Sequence, residues 1–320
     1  MISYVLFPIG IYLLLKGADW LVDGASAFAK KFGVPTLVIG LTIVAFGTSM
    51  PELVVNITSA ISGSSDIAFG NIIGSNVANI LLILGVTASI VSLKVAHSTT
   101  WKEIPFSFLA VIALLIFSNT GLLDTVAGGS ILRSNGLILL LFFAIFLIYV
   151  FELARRSKAS FEDENIKIQK LSPGMIFLMI MGGLVLLYFG GKWTVNGAVS
   201  FARLFGLSEY LISLTVVAVG TSLPELLTSV VAAQKGNADI AIGNIVGSNI
   251  FNIFWILGIT ATVRPLPLPQ FANIDLWILA AITGIFFAFM FIGRRYELDR
   301  WQGVLFLLMY AAYLGYIILR

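Results

Sequence analysis

The sequence predicts an all-α integral membrane protein with ten transmembrane helices, arranged as two inverted five-helix repeats. Of its 320 residues, 59% are hydrophobic and only 11% are charged, whereas about a quarter of the residues in a soluble domain carry charge. Apolar stretches of about 18 residues or more, each long enough to cross a bilayer, recur from one end of the chain to the other. The third observation is an internal duplication that relates the two halves of the chain.

The composition also excludes several functional classes. The sequence has no cysteine and a single histidine, His97, so disulfides and thiolate metal sites are ruled out and a zinc centre is not expected. The net charge of +3 does not indicate nucleic-acid binding, because the basic residues are scattered over short loops rather than gathered on one face. No cofactor is expected.

Motifs recur in the second half of the chain at a constant displacement. Trp20 matches Trp193, which is 173 residues further on, and no insertion or deletion is needed from there to Gly85 and its match Gly258. We interpret the similarity as a duplication. The matched motifs are Gly47-Thr48-Ser49 with Gly220-Thr221-Ser222, Pro51-Glu52 with Pro224-Glu225, Gly70-Asn71 with Gly243-Asn244, Gly74-Ser75-Asn76 with Gly247-Ser248-Asn249, and Asn79 with Asn252.

The hydrophobic stretches predict five membrane helices in each half, so we expect a first repeat at 1–153, a charged linker at 154–172 and a second repeat at 173–320. The apolar stretch at 2–15 lacks a preceding basic segment and has a counterpart inside the chain, which favours a structural helix over a signal peptide. An odd number of helices per repeat places the second repeat upside down in the membrane, as in secondary transporters. The predicted helices are 2–23, 36–60, 66–92, 103–119, 134–153, 174–196, 209–233, 239–263, 275–294 and 301–319.

The distribution of lysine and arginine predicts the orientation in the membrane. Most of these residues lie in the linker and in the loops on the same side of the membrane, so we expect this side to be cytoplasmic and both termini to be extracellular. The acidic run at 162–164 in the linker could be a regulatory calcium site, but the composition favours a solvated linker. We expect a multi-pass plasma-membrane protein that functions as a monomer within the lipid bilayer.

Two acidic residues, Glu52 and Glu225, fall in the middle of the second predicted helix of each repeat. A charged side chain at the bilayer centre costs about 2.5–3.5 kcal/mol on insertion scales, and such residues usually mark ion pathways. Two carboxylates at equivalent positions repel each other unless they are protonated or bridged by cations. The alternative is a pair of buried, protonated glutamates with a structural role, and we favour the ion pathway.

A proline precedes each of these glutamates and predicts a break in the helix. Pro51 cannot donate a hydrogen bond to the carbonyl of Gly47, and its ring crowds that turn. Thr48 lies one turn before Glu52 on the same face, and Thr221 is equivalent to it in the second repeat. Broken helices with free carbonyls beside carboxylates at the midplane are how transporters bind bare cations. A kink used only for packing would not explain the paired acids.

The third helix of each repeat supplies further oxygens. Ser75 and Asn79 share one helix face, as do Ser248 and Asn252 in the second repeat. The neighbouring glycines have the small-xxx-small spacing of closely packed membrane helices. Close packing would bring the serines and asparagines up to the glutamates. The roles of four more asparagines stay open: Asn71, Asn76, Asn244 and Asn249.

All these candidate ligands are oxygens, which suits hard cations. Ca²⁺ takes 6–8 oxygen ligands in flexible geometry, and two glutamates with carbonyl or amide oxygens approach that number. Na⁺ could use the same oxygens together with the hydroxyls. The two carboxylates contribute a charge of −2, which one Ca²⁺ or two Na⁺ would neutralise.

The duplicated GTS-x-PE and GN-x-x-GSN-x-x-N motifs resemble the two alpha-repeats of the sodium/calcium exchangers, of the prokaryotic type, in the calcium/cation antiporter superfamily. The resemblance covers nearly the whole chain and implies electrogenic exchange of Na⁺ for Ca²⁺ by alternating access, with the first and sixth helices sliding across a rigid core. It implies calcium ligands at Glu52, Glu225 and the carbonyls of Thr48 and Thr221. The sodium ligands that it implies, besides the two glutamates, are Ala45, Ser49, Ser75, Ala218, Ser222 and Ser248.

Asn252 bears on the choice of coupling ion. Some exchangers of this superfamily, including potassium-dependent ones, carry Asp at the equivalent position. Asparagine in both repeats, at Asn79 and Asn252, resembles the potassium-independent type. The alternatives are a proton-coupled or potassium-dependent calcium/cation antiporter, and a cation channel from another class. An enzyme is disfavoured, because the serines and glutamates have no histidine or lysine partner placed to activate a nucleophile.

Overall fold

The computed structural model describes residues 2–119, 129–156, 171–204 and 218–319. Within these ranges, eight helices and one bent helix pair are long and apolar enough to cross a membrane. The predicted all-α membrane fold is therefore confirmed. The predicted helix 209–233 begins outside the described residues, and so does most of the predicted linker, namely 157–170.

The helices and strands follow one another in the order of the predicted segments. The first half contains α1 (Ile2–Phe32), α2 (Thr36–Thr48), α3 (Met50–Ser62), α4 (Ser65–Ile90), α5 (His97–Ser118) and α6 (Arg133–Arg156). The second contains α7 (Pro173–Leu204), α8 (Ala218–Thr221), α9 (Leu223–Gln234), α10 (Ala238–Val263), α11 (Ala272–Phe289) and α12 (Arg300–Leu319). The strands are β1 (Leu93–Lys94), β2 (Ser130–Ile131), β3 (Leu266–Pro267) and β4 (Glu297–Leu298).

The helices differ in how deeply they are buried. The apolar part of α10 is almost wholly enclosed by protein, and α4 is largely enclosed, whereas most of α6 and α12 is exposed. In a protein of this composition, such exposed apolar surface faces lipid. The two third helices of the predicted repeats, α4 and α10, therefore form the centre of the molecule.

Glycines let α1 and α7 pack along their whole length. Gly10, Gly17 and Gly24 recur every seven residues in α1, and their equivalents in α7 are Gly183, Gly190 and Gly197. A Cβ atom on Gly17 would lie 2.8 Å from the backbone nitrogen of Leu187 and 2.9 Å from the carbonyl oxygen of Gly183. Such distances leave no room for a side chain, so the two backbones are in direct contact.

The structure corrects the predicted ends of these two helices. The sequence predicts ends at residues 23 and 196, where polar side chains appear, but α1 continues to Phe32 and α7 to Leu204. Beyond the predicted ends, Gly24 meets Met179 and Ile180, and Gly197 meets Phe7. Contacts between the two helices thus support turns that hydropathy alone assigns to loops.

Short strands connect the two halves of the chain. β1 pairs antiparallel with β4, and β2 pairs antiparallel with β3. The equivalent of β1 in the second half is β3, so each half contributes one strand after its third helix to a partner from the other half. The sequence analysis did not predict these strands, because two residues are too short for a recognisable alternation of polar and apolar side chains.

One ion-pair cluster ties α1 to the end of α9. The ammonium nitrogen of Lys235 lies 2.8 Å from a carboxylate oxygen of Asp19 and 2.7 Å from one of Asp23. Partial burial lowers the pKa of Lys235, but hydrogen bonds to Asp19 and Asp23 outweigh it and hold the pKa above its usual value. Lys235 therefore stays charged and links α1 to the body of the protein.

Candidate cation-binding site

Both prolines of the duplicated motif lie at helix breaks, and each break places one glutamate in the first turn of a new helix. The axes of α2 and α3 differ in direction by 47°, and the residue between them, Ser49, leaves the helical conformation with ψ at 8°. Ser222 does the same between α8 and α9, with ψ at 5°. Glu52 and Glu225 are each 1% exposed, so both carboxylates lie inside the protein.

A hydroxyl group from the other half of the chain lies next to the Glu225 carboxylate. Ser49 Oγ lies 3.1 Å from Glu225 Oε1 and 3.0 Å from Ser248 Oγ. The side chain of Thr48 also lies beside this carboxylate. Residues of α2 and its break therefore reach the acidic side chain of α9, across the boundary between the two predicted repeats.

The Glu52 carboxylate has one hydroxyl neighbour from each half of the chain. The side chains of Thr221 and Ser75 lie beside it, and it is close enough to Glu225 for the two carboxylates to repel each other. Two negative charges held together in a water-poor interior are unfavourable unless protons or cations offset them.

Two asparagine pairs cross between the halves and orient the amide groups. Asn79 Nδ2 donates to Asn249 Oδ1 at 3.0 Å, and Asn252 Nδ2 donates to Asn76 Oδ1 at 3.4 Å. These pairs answer part of the question that the sequence left open, because Asn76 and Asn249 hold the amide nitrogens of the two candidate ligands. The oxygens of Asn79 and Asn252 are thereby left without a donor among the described residues.

The other two asparagines support the backbone next to the glutamates. Asn71 and Asn244 each donate to the backbone carbonyl of the glutamate in their own half, at 3.3 Å in both cases. The hydroxyl of Thr48 donates to Asn244 Oδ1 at 3.0 Å. Sequence reasoning missed these roles, although the equivalent positions of Asn71 and Asn244 beside the ligand helices were a usable signal.

Close packing of α2 and α10 explains how these groups meet. A Cβ atom on Gly243 would lie 2.9 Å from the carbonyl oxygen of Leu37, and one on Gly247 would lie 3.0 Å from the Cα atom of Leu41. The predicted role of these glycines in close packing is therefore confirmed for the second half. The equivalent Gly70 and Gly74 have open space where a Cβ would lie, as far as the structure describes their surroundings.

The two candidate amide ligands are carried by segments of π-helix that contact the glutamate helices. In α4 the π segment is Ala78–Ile83 and contacts α9; in α10 it is Phe251–Leu257 and contacts α3. The wider turns of a π segment often occur at functional sites, since they redirect side chains. The segment that carries Asn79 thus packs against the helix of Glu225, and the segment that carries Asn252 packs against the helix of Glu52.

Within the described residues, six buried oxygens of the predicted ligand residues have no hydrogen-bond donor. A buried oxygen without a partner costs about 1–3 kcal/mol, and it is therefore rare unless an ion or water completes it. No nitrogen or sulfur ligand is among them, so the set suits a hard cation. The six atoms are Oε2 of Glu52 and Glu225, Oδ1 of Asn79 and Asn252, and Oγ of Ser75 and Ser222.

Two of the predicted sodium ligands, Ala45 and Ala218, can offer a cation only their backbone carbonyl oxygens. The carbonyl oxygen of Ala45 already accepts a hydrogen bond from the backbone nitrogen of Ser49 at 3.0 Å. Ala218 begins α8, and its side chain lies outside the described part of the structure.

In the described ranges, no cluster of three or more His, Cys, Asp or Glu side chains is placed to hold a metal. Glu52 and Glu225 therefore set the charge of this site.

Comparison with known proteins agrees with this geometry. The family described as "Sodium/calcium exchanger protein" matches residues 2–152 and 175–319. The chain is 33% identical to the sodium/calcium exchanger MaX1 of Methanosarcina acetivorans, covering 98% of this chain and 97% of that one. It is also 33% identical to the inner membrane protein YrbG of Escherichia coli, covering 95% and 93%.

A solved structure shows the same fold. The sodium-calcium exchanger NCX_Mj, in a form soaked with sodium and strontium, superposes with a TM-score of 0.82 at 30% identity, and the match covers 98% of each chain. The duplicated motifs, the two broken helices and these similarities all identify a cation antiporter of the membrane. The chain belongs to the sodium/calcium exchanger family.

Proposed function

We propose that this chain exchanges Na⁺ for Ca²⁺ across the membrane, as an electrogenic antiporter that does not require K⁺. The observation that carries the proposal is the set of six buried oxygens without hydrogen-bond donors on the helices around two carboxylates. Such a set around two carboxylates suits hard cations, and apolar side chains would fill the same space at lower cost if its role were packing alone.

Charge balance explains why the two ions would alternate. The two glutamates contribute −2, so a single Ca²⁺ neutralises the site, and the desolvation penalty of the carboxylates is offset. Na⁺ would use the same carboxylates, so the two ions cannot be bound at full occupancy together. Mutually exclusive binding at one buried site is a condition for exchange. The second condition is that the site does not switch from one side of the membrane to the other while it is empty.

We assign the ligands in two groups, which share the glutamates. For Ca²⁺ they are the carboxylates of Glu52 and Glu225, the carbonyls of Thr48 and Thr221, and the amide oxygens of Asn79 and Asn252. For Na⁺ they are the glutamates together with hydroxyl and carbonyl oxygens of Ala45, Ser49, Ser75, Ala218, Ser222 and Ser248.

The proposed transport cycle uses α1 and α7 as one sliding unit. Direct backbone contact along the glycines of α1 and α7 would let them move together across the core that holds the site. The proposed architecture is two inverted five-helix repeats, at 1–153 and 173–320, that function as a monomer. The linker would be cytoplasmic and both termini extracellular.

Sodium-driven calcium uptake should not depend on potassium. Asn79 and Asn252 provide neutral amides, so the site has no third carboxylate to balance an additional monovalent ion. In proteoliposomes loaded with Na⁺ and diluted into Na⁺-free medium, ⁴⁵Ca²⁺ should accumulate equally with K⁺ or with choline on both sides.

The same assay separates the alternatives. Uptake that required K⁺ would assign the chain to potassium-dependent exchange, and uptake driven by a pH gradient without Na⁺ would assign it to proton coupling. Calcium flux that only ran down its own gradient would indicate a channel and contradict the proposal.

A further inference from the structure

A cavity lies directly beside the proposed site. It has a volume of about 200 Å³ and lies between α7 on one side and α3, α8 and α9 on the other. Thr221, a proposed calcium ligand, lines it, as do Pro51 and Pro224, the prolines that precede the two glutamates. Each glutamate directly follows one of these prolines, so the cavity adjoins the first turns of α3 and α9, which carry the two glutamates.

The wall of the cavity carries a positive charge. Among the described residues that line it, Lys192 of α7 is the only one with a formal charge. Its side chain is exposed, and no described residue forms an ion pair with it. An unpaired charge on a membrane helix is costly unless it faces water, which fits a lysine that faces this cavity.

The equivalent position in the first half carries the opposite charge. Asp19 of α1 corresponds to Lys192, and Asp23 corresponds to Asn196, which also lines the cavity. Lys235 forms ion pairs with both aspartates, whereas no described residue forms an ion pair with Lys192. The duplication has therefore kept the shape of these helices but not their charge.

We propose that Lys192 is a specificity-determining residue that weakens the binding of Ca²⁺ more than that of Na⁺, through its charge alone. The inference rests on the proposed exchange function. A fixed potential changes the free energy of an ion in proportion to the charge of that ion, and low-dielectric walls concentrate the field. The factor by which Lys192 raises the half-saturating concentration of Ca²⁺ is therefore the square of the factor for Na⁺.

The expected size of the effect follows from Coulomb's law. For charges roughly 10 Å apart in a water-like medium, a single positive charge changes the occupancy of a monovalent ion about twofold and that of a divalent ion about fourfold. Salt should reduce both factors, because the screening length is only about 3 Å at 1 M ionic strength.

The test compares Lys192→Gln with Lys192→Arg in the full-length protein. We would measure equilibrium ⁴⁵Ca²⁺ binding, and its displacement by Na⁺, on purified protein at low ionic strength set with choline chloride. Removing the charge should lower the half-saturating concentration about fourfold for Ca²⁺ and about twofold for Na⁺. The arginine variant should match the wild type, and the shifts of the glutamine variant should shrink in about 1 M choline chloride.

Three results would overturn the inference: equal factors for the two ions, no shift at all, or the same shift in the arginine variant, which would indicate local packing. Sodium-driven uptake is measured in parallel on the wild type. If the wild type binds Ca²⁺ without exchanging it, the proposed function fails while the comparison of variants still decides the role of Lys192. If the wild type binds no Ca²⁺, both proposals are wrong.

Discussion

Replacing Glu52 or Glu225 with glutamine is expected to abolish sodium-driven calcium uptake. Each substitution halves the negative charge of the site and presents an amide that can donate hydrogens where a cation ligand is needed. The loss of one charged contact of about 3 kcal/mol corresponds to roughly a hundredfold weaker calcium binding. Initial rates of ⁴⁵Ca²⁺ uptake in proteoliposomes would therefore fall to background in either variant.

A matched control is available in another buried acid. Glu103 is fully buried in α5 and accepts a hydrogen bond from the hydroxyl of Tyr149, outside the proposed site. Glu103→Gln keeps an oxygen that can accept this bond, so we expect uptake within about twofold of the wild type. Elution from size-exclusion chromatography and the thermal midpoint would verify folding of all three variants. Rates near the wild type in folded Glu52→Gln or Glu225→Gln would refute the assignment of the site.

Membrane potential is expected to have the second large effect. With a charge of −2 fixed at the proposed site, the calcium-loaded site would be neutral when it switches from one side of the membrane to the other. The proposed electrogenic exchange couples more than two Na⁺ to each Ca²⁺, so the sodium-loaded form would carry at least one net positive charge. Moving one elementary charge across 100 mV is worth about 2.3 kcal/mol, which corresponds to about a fiftyfold change in calcium accumulation at equilibrium.

The sign of this effect is defined by the direction of sodium movement. An inside-negative potential should promote sodium influx and calcium extrusion, so calcium uptake into sodium-loaded vesicles should be promoted by an inside-positive potential. Potassium gradients with valinomycin would set the potential in either direction. Accumulation that did not change with potential would favour two sodium ions per calcium, or compensation by protons on Glu52 or Glu225.

Much of the site could be predicted because the duplication is in register over its central motifs. Glu52 and Glu225 stand out as mid-membrane acids, and Pro51 fixes a helix break that the structure shows as the 47° bend between α2 and α3. These inferences depend on local chemistry: a charge that is costly in lipid, and a proline that cannot donate a hydrogen bond.

What could not be predicted depends on contacts between distant segments. α1 and α7 continue past their predicted ends where Gly24 and Gly197 pack against the partner helix, and hydropathy does not encode this packing. The π segments that carry Asn79 and Asn252 have no sequence signature comparable to the proline breaks. The pairing of these amides with Asn249 and Asn76 joins residues about 170 positions apart.

The most direct test of the central claim is competition between calcium and sodium for a single site in the purified protein. Equilibrium binding of ⁴⁵Ca²⁺ should saturate at one ion per chain, and Na⁺ should displace it with a Hill coefficient above one, since several sodium ions replace one calcium. Calcium binding should be lost in both Glu52→Gln and Glu225→Gln. Calcium that stayed bound at saturating Na⁺, or that still bound to either variant with unchanged affinity, would contradict the account.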